Sequence, residues 1–265
     1  MNRPLRLSII TPSYNQGLFI ERTIRSILDQ GYPNLEYIVV DGGSTDNTLD
    51  ILKRYEGRLS WISEKDNGQA DAINKGIRMA TGDIIAYLNS DDVYEPGALL
   101  RVAGYFSTHS DAMWLTGKCR IIDEHDREMR GLVTAYKNFL LRHYSYELLL
   151  VTNPISQPAT FWRRSVVDKF GLFDDTEHLV MDYSYWLKVG RGNLLALLDE
   201  YLAAFRVYAT SKTSSSFLTT FSRELDLAKT YSSSTALNVL HCLSYAGIAS
   251  VYFLLNSLGR LRKHR

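Results

Sequence analysis

Cysteine is scarce in this chain: 265 residues hold only Cys119 and Cys242. They lie far apart with no metal-ligand spacing, so neither a disulfide framework nor a zinc site is expected, and a reduced compartment fits best. Charge of one sign is also missing. Thirty Lys and Arg face 29 Asp and Glu, for a formal net charge of +1, which gives nucleic-acid binding no electrostatic support. No long apolar run precedes the strand-like segment that begins at Leu5, so no secretory signal is expected. No G-x-G-x-x-G follows that segment, which argues against a dinucleotide dehydrogenase. What remains is an ordinary globular composition, 45% apolar and 22% charged, long enough to bury a sizeable core as one large domain or one domain with an appendage.

The stretch from Gly82 to Asp92 organises the rest. Ile84, Ile85, Ala86, Tyr87 and Leu88 are continuously apolar, as expected for a strand covered on both faces, and the run ends in Asn89-Ser90-Asp91-Asp92. Adjacent carboxylates at the carboxyl end of a buried strand are costly unless neutralised. A hard divalent cation carrying a phosphorylated substrate supplies that counter-charge, because ligands of open α/β sheets bind outside the carboxyl ends of the strands. The same residues also suit a plain turn.

Upstream, strand-like segments start near residues 5, 35, 59 and 83 with helical spacing between them. That is the βαβα rhythm of a mostly parallel sheet. The first helix carries Ile20, Ile24, Ile27 and Leu28, the second follows a cap at Ser44 or Thr45, and the third opens at Gly68. Pro96 is expected at the first position of a fourth helix. Beyond Met113 the pattern loosens. Short strands are expected at 114–117, 120–122, 194–198 and 203–207, a short helix at Met181, irregular cover over 119–180, and a hydroxyl-rich hinge at 210–216.

Several of these segments together resemble the family 2 glycosyltransferases of the GT-A fold. They are Ser8 to Asn15 (SIITPSYN), Val39 to Asp46 (VVDGGSTD), Asp66 to Gly76 (DNGQADAINKG) and Gly82 to Asp92. Gln157 to Arg164 and Met181-Asp182-Tyr183 resemble acceptor-side elements of that family. The resemblance implies an α/β, Rossmann-like, mostly parallel central sheet flanked by helices, with a nucleotide-sugar-binding half over 1–118, an acceptor half over 119–212 and a C-terminal helical extension over 213–265. It implies a metal-dependent, inverting transferase taking a nucleoside-diphosphate sugar, UDP-sugar first, to a glycan or lipid-linked acceptor. Thr11, Pro12, Tyr14 and Asp41 are then placed around the nucleotide, joined by Asp66, Asp71, Asn89, Ser90 and Asp91. Tyr14 offers a flat face for stacking and Asp41 a carboxylate for an imide or ribose donor; an exposed loop aromatic and a helix cap are the plain alternatives. Asp71 equally suits the first turn of its own helix, and Lys75 is a surface lysine unless it meets a phosphate.

The family's acidic signature falls on Asn89-Ser90-Asp91, so its first acid is an amide here. Asp91 is the expected ligand to Mg²⁺ or Mn²⁺, with Asp92 behind it. Asp182 is the expected general base, preferred over Asp174, Asp175 and Glu177 because Met181 and an aromatic run flank it and exclude water. Where relatives carry a histidine, this chain has Tyr208, which is assigned no metal role; Lys212 is expected to reach the diphosphate from a mobile segment. Gln157, Trp162 and Trp186 are the acceptor-side candidates, with core packing the alternative for both tryptophans.

Residues Ala236 to Leu258 contain no Asp, Glu, Lys or Arg and precede Arg260, Arg262, Lys263 and Arg265. An amphipathic helix lying on the cytoplasmic face of a membrane is one reading; packing on the domain or on a second copy in a homodimer is the other. Two other functions compete with transfer. A noncatalytic nucleotide-binding or assembly subunit is compatible with the two motif departures. A sugar nucleotidyltransferase would carry a glycine- and arginine-rich loop where Thr11-Pro12-Ser13-Tyr14 stands.

Overall fold

The structure, a computed structural model, describes residues 3–208 and 217–263. Strands β1 (Leu7–Ser13), β2 (Leu35–Asp41), β3 (Ser60–Ser63) and β4 (Ile84–Tyr87) form a parallel set in the order β3-β2-β1-β4. Helices α1 (Ile20–Leu28), α2 (Thr48–Lys53) and α3 (Gln69–Met79) connect them. All four carboxyl ends therefore open on one edge, as the sequence rhythm implies.

The chain continues through β5 (Val93–Tyr94), α4 (Ala98–Thr108), β6 (Trp114–Ile122), α5 (Gly131–Arg142), α6 (Tyr146–Val151), β7 (Thr160–Arg163), α7 (Arg164–Phe170), α8 (Met181–Gly190), β8 (Ala196–Arg206), α9 (Phe217–Tyr231) and α10 (Thr235–Lys263). Strand β7 enters antiparallel between β4 and β6, β8 runs parallel to β6, and the short β5 closes the sheet against β8, giving eight strands among the described residues. Residue 118, the expected boundary between halves, lies inside β6, so both halves share one sheet.

Side chains alternate across the strands and are covered on both faces. Ile9, Val39 and Ala86 pack with α1, α2 and α4 on one side; Ile10, Val40, Ile85 and Tyr87 pack with α3 and α8 on the other. On the second side Trp114, Trp162, Trp186, Phe173 and Tyr185 form an aromatic cluster, with Trp162 and Trp186 ring centroids 5.7 Å apart. Both tryptophans are 0% exposed, which removes them as sugar platforms and makes them core. Gly76 lets α3 approach β1 closely, since a Cβ there would fall on the Ile10 side chain.

Residues 119–180 are ordered elements rather than irregular cover. Three helices, α5, α6 and α7, were missed there, and α5 inverts the usual pattern: Thr134 and Asn138 are buried while Leu132, Tyr136 and Phe139 are exposed, so no apolar face is legible. The two strands expected near Leu194 and Ala203 are one strand, β8, and the two near Trp114 and Arg120 are likewise one. Register shifts flank Lys118, opposite the exposed Asp199-Glu200, and that irregularity interrupts the alternation. Pro96 stands outside α4, whose N-cap is Gly97 in the left-handed region at φ 76°. The N-cap of α2 is Asn47 rather than Ser44 or Thr45, and it makes no side-chain cap bond; Asp46, one residue before it, accepts from the Thr48 N–H at 3.0 Å.

Among the described residues no helix is long and apolar enough to cross a membrane. The first turns of α10 pack on α6, with His241 buried and its Nδ1 donating to the Leu150 carbonyl at 2.7 Å. Its opposite side exposes Val239, Leu240 and Leu243. The hinge expected at 210–216 and Lys212 lie outside the described residues.

Candidate active site

A cleft of about 750 Å³ opens along the carboxyl edge of the sheet. One wall comes from the loops after β1 and β3, through Pro12, Ser13, Tyr14, Asp66 and Gly68. Hydrogen bonds lace the β1 loop to the β2 loop: Asn15 N–H donates to Ser44 Oγ at 2.7 Å, and Thr45 N–H to Asn15 Oδ1 at 2.8 Å. Asn15 takes the left-handed conformation, φ 51°, and turns the loop so that Tyr14 stands 60% exposed at the rim. Asp66 lies over Gly42, where a Cβ would come within 2.5 Å of its Oδ2, and accepts from the Gly68 N–H at 2.9 Å.

Three of the residues expected around the nucleotide are committed elsewhere. Asp41 is 0% exposed and accepts from Gly43 N–H, Ser44 N–H and Ser63 Oγ at 3.1, 2.8 and 2.7 Å, and also from Ser44 Oγ. It ties β2 to β3 and lies behind the cleft wall. Thr11 is buried and receives the Tyr37 hydroxyl at 3.2 Å. Asp71 accepts from the Asn67 N–H at 3.1 Å and faces Lys75 at 3.5 Å, while Lys75 reaches Glu64 at 2.8 Å. Each satisfies a local partner that spacing alone does not reveal.

The floor is the turn after β4, held from several sides. Thr23 Oγ1 donates to the Asp92 carbonyl at 2.7 Å, and the Arg206 side chain donates Nε–H to the Asp91 carbonyl at 2.7 Å. Asn89 accepts from Gln69 Nε2 at 2.6 Å and donates to Asp92 Oδ2 and Gln157 Oε1 at 3.2 and 3.4 Å. Gln157, on a 3-10 turn over Gln157–Ala159, donates in its turn to the Tyr87 carbonyl at 2.6 Å. An amide suits this position because it can donate to two oxygens and accept from the Gln69 amide, which a carboxylate cannot.

The two acids part company. Asp92 is 0% exposed and faces inward, accepting the Arg206 N–H at 2.8 Å, so it fastens β8 to the turn rather than standing behind a metal. Burial first, and the Asp91 charge second, hold its carboxyl well above the usual range. Asp91 lines the cleft and accepts the Tyr208 hydroxyl at 3.0 Å; burial raises its carboxyl, opposed by that hydrogen bond and by Arg206. Tyr208 packs on Phe19 with centroids 4.7 Å apart, and burial with the Asp91 charge pushes its phenol up to about 12. No group of three or more His, Cys, Asp or Glu suited to a metal occurs among the described residues. The donor set nevertheless fits a magnesium-type ion, which takes one or two carboxylates and completes its shell from substrate phosphates and water. Asp91 is a carboxylate of that kind lining the cleft.

Across the cleft, Asp182 sits in the first turn of α8, with the Tyr183 N–H on its Oδ1 at 2.8 Å. Sequence reasoning missed its two charged neighbours, Lys137 of α5 and Glu224 of α9, which also line the cleft. Burial pushes the Glu224 carboxyl up to about 8, assisted by the Asp182 charge and opposed by Lys137. Burial lowers Lys137, while Cys119, Glu224 and Asp182 act the other way. Neither stood in a recognisable motif. Arg206, 1% exposed and bridging the Asp91 carbonyl to the Asp123 carbonyl at 2.7 Å, was also hidden, at the end of an unremarkable apolar strand.

Comparison with known proteins agrees with this architecture. Glycosyl transferase family 2 matches over residues 8–171. A glycosyltransferase of Haemophilus influenzae is 30% identical over 80% of this chain and 68% of its own length. The teichuronic acid biosynthesis glycosyltransferase TuaG of Bacillus subtilis, so named as putative, is 41% identical over 43% of this chain and 47% of its own. The chain thus spans about half the length of TuaG, and 39% of a Nostoc glycosyltransferase that is 34% identical. In fold it is similar to S. aureus TarS solved with UDP, TM-score 0.65 at 20% identity over 86% of this chain and 65% of that one. It is similar also to the mannosyltransferase PcManGT of Pyrobaculum calidifontis in complex with GDP-Man and Mn²⁺, TM-score 0.65 at 18% identity over 98% and 81%. The extent of the family match, the H. influenzae relative and the shared sheet lead to one statement: the chain belongs to glycosyl transferase family 2.

Proposed function

We propose that this protein transfers a sugar from a nucleoside-diphosphate sugar to a hydroxyl of a glycan or lipid-linked acceptor, with inversion at the anomeric carbon, in the synthesis of a cell-surface polysaccharide. The observation that carries this reading is a single cleft joining the loops after β1, β3 and β4 to Asp182. The names of TuaG and of the mycobacterial PGL/p-HBAD biosynthesis glycosyltransferases support the cell-surface setting. UDP in one structural neighbour and GDP-Man with Mn²⁺ in another support the donor class.

In this proposal Tyr14, Pro12 and Asp66 bound the nucleotide, while Asn89 and Ser90 shape the floor beneath the sugar. Asp91 would hold the divalent cation, which offsets charge on the departing diphosphate as a Lewis acid. Asp182 accepts the proton of the acceptor hydroxyl as that oxygen attacks, and a single displacement inverts the carbon. Gln157 keeps Asn89 in its rotamer, so its part is positioning. The exposed Val239, Leu240 and Leu243 of α10 would rest on the cytoplasmic face of a membrane, bringing the cleft to a lipid-linked acceptor.

Release of nucleotide from UDP-, GDP- and dTDP-sugars, with and without Mn²⁺, tests the reading. Turnover with one donor that Asp182→Asn abolishes is the expected result. The Tyr208 hydroxyl on Asp91, where relatives have a histidine, favours a second reading, a noncatalytic subunit. It predicts donor binding without turnover, unchanged in Asp182→Asn.

A further inference from the structure

The cleft extends past Asp182 to a wall built by α5, α9 and α10, beyond the 8–171 span of the family match in the case of the last two. That wall carries Lys137 and Glu224 with the Tyr136 and Phe221 rings. Tyr136 is 46% exposed, unlike the buried tryptophans, and Phe221 is backed by Tyr245 at a centroid distance of 4.6 Å. Resting on the transferase reading, we propose that Lys137 and Glu224, with these two rings, form the acceptor subsite and select a neutral sugar over an anionic one.

Two kinds of observation support this. A flat ring beside mixed hydrogen-bonding groups matches the apolar face and hydroxyl rim of a pyranose. Lys137 donates, and a carboxyl that keeps its proton near neutrality both donates and accepts, so vicinal hydroxyls find complementary partners. The charge inventory then excludes anions. Among the described lining residues, Arg120 is committed to Glu95 and Glu128 at 2.9 and 2.7 Å, and Arg206 to Asp126 at 2.6 Å. With Glu224 protonated, Lys137 is matched by the Asp182 charge. A uronate or phosphate entering here would meet Asp182 with no unbalanced cation to receive it, and its desolvation would go uncompensated.

The test is saturation-transfer NMR on the full chain with methyl glucoside, methyl N-acetylglucosaminide and methyl glucuronide, UDP being added to fill the donor side. The neutral glycosides are expected to bind about tenfold more tightly than the glucuronide, a difference of one decade in affinity. Glu224→Ala and Lys137→Ala are each expected to weaken the neutral ligands by about tenfold, as loss of a hydrogen bond does, with the fold retained by circular dichroism. Equal or tighter binding of the glucuronide, no glycoside binding, or neutral affinity untouched in both variants overturns the proposal. Donor hydrolysis without acceptor, measured in parallel, reports separately on the transferase reading: its absence for every nucleotide sugar sinks that reading while the glycoside ranking still decides this one.

Discussion

Asn89 marks the point where one atom changes what the site can be. Its Nδ2 donates to Asp92 and Gln157, so a carboxylate there would set two acids against each other over a buried turn. Asn89→Asp is therefore expected to destabilise the fold by about 1–3 kcal/mol at neutral pH, as an unsatisfied buried polar group does, and to recover as the pH falls and the new carboxyl takes a proton. Chemical denaturation at pH 7 and pH 5 checks it; equal losses at both refute the electrostatic cause. At Asp182 the expectation is kinetic. Asp182→Asn should lower kcat by about 10²–10⁴-fold, the range for loss of a general base, with donor affinity within twofold of the wild type by titration.

At the scale of elements, close approach and burial set the sensitive places. Gly76→Ala drives a methyl group into Ile10 and wedges α3 from β1, with an expected cost of about 1–3 kcal/mol by thermal or urea unfolding, whereas alanine at an exposed glycine of a helix should stabilise. Helix α9 brings a pH dependence of its own. The Glu224 carboxyl sits at about 8 in the folded chain against an ordinary 4.5, so the folded state keeps a proton that the unfolded chain releases. Stability then declines as pH rises from about 4.5 to about 8 and levels off beyond, because the unfolded state binds fewer protons across that window. Asp91 and Asp92 slope the same way, so the comparison is with Glu224→Gln, which retains both. The melting-temperature difference, variant minus wild type, is expected to grow from pH 5 to pH 8; a constant difference would place Glu224 in solvent.

Across the whole molecule, α10 has two faces in different surroundings. His241 and its neighbours pack on α6, and Val239, Leu240 and Leu243 stay exposed. Removal of residues 236–265 is expected to lower the melting temperature, through the uncovered α6, and to release the protein from anionic vesicles in a flotation assay. Retention on vesicles after truncation would rule out α10 as the anchor. The sheet itself was legible at this scale because β1, β2 and β4 carry short apolar runs (Ile9-Ile10, Ile38-Val39-Val40, Ile84 to Tyr87) and β3 the pair Trp61-Ile62, each followed by turn formers. The acceptor half was not. Thr134 and Asn138 point inward on α5 while Leu132 and Phe139 point out, and the irregular pairing of β6 with β8 breaks the alternation.

The sequence by itself determined the βαβα order, the polar loops gathered at one edge and Asp91 at the end of β4, since these follow from local periodicity and turn chemistry; Asp182 came from the resemblance, and the structure puts it on the cleft. Tertiary structure decided which polar groups are spent internally. Asp41 and Asp92 satisfy backbone N–H groups and are lost to solvent, Trp162 and Trp186 become core, and Lys137 and Glu224, about ninety positions apart in the chain, line one cleft with Asp182. The physical reason is that a buried polar atom takes whichever partner folding brings within reach, near in sequence as for Asp41 or far as for Asp92 with Arg206.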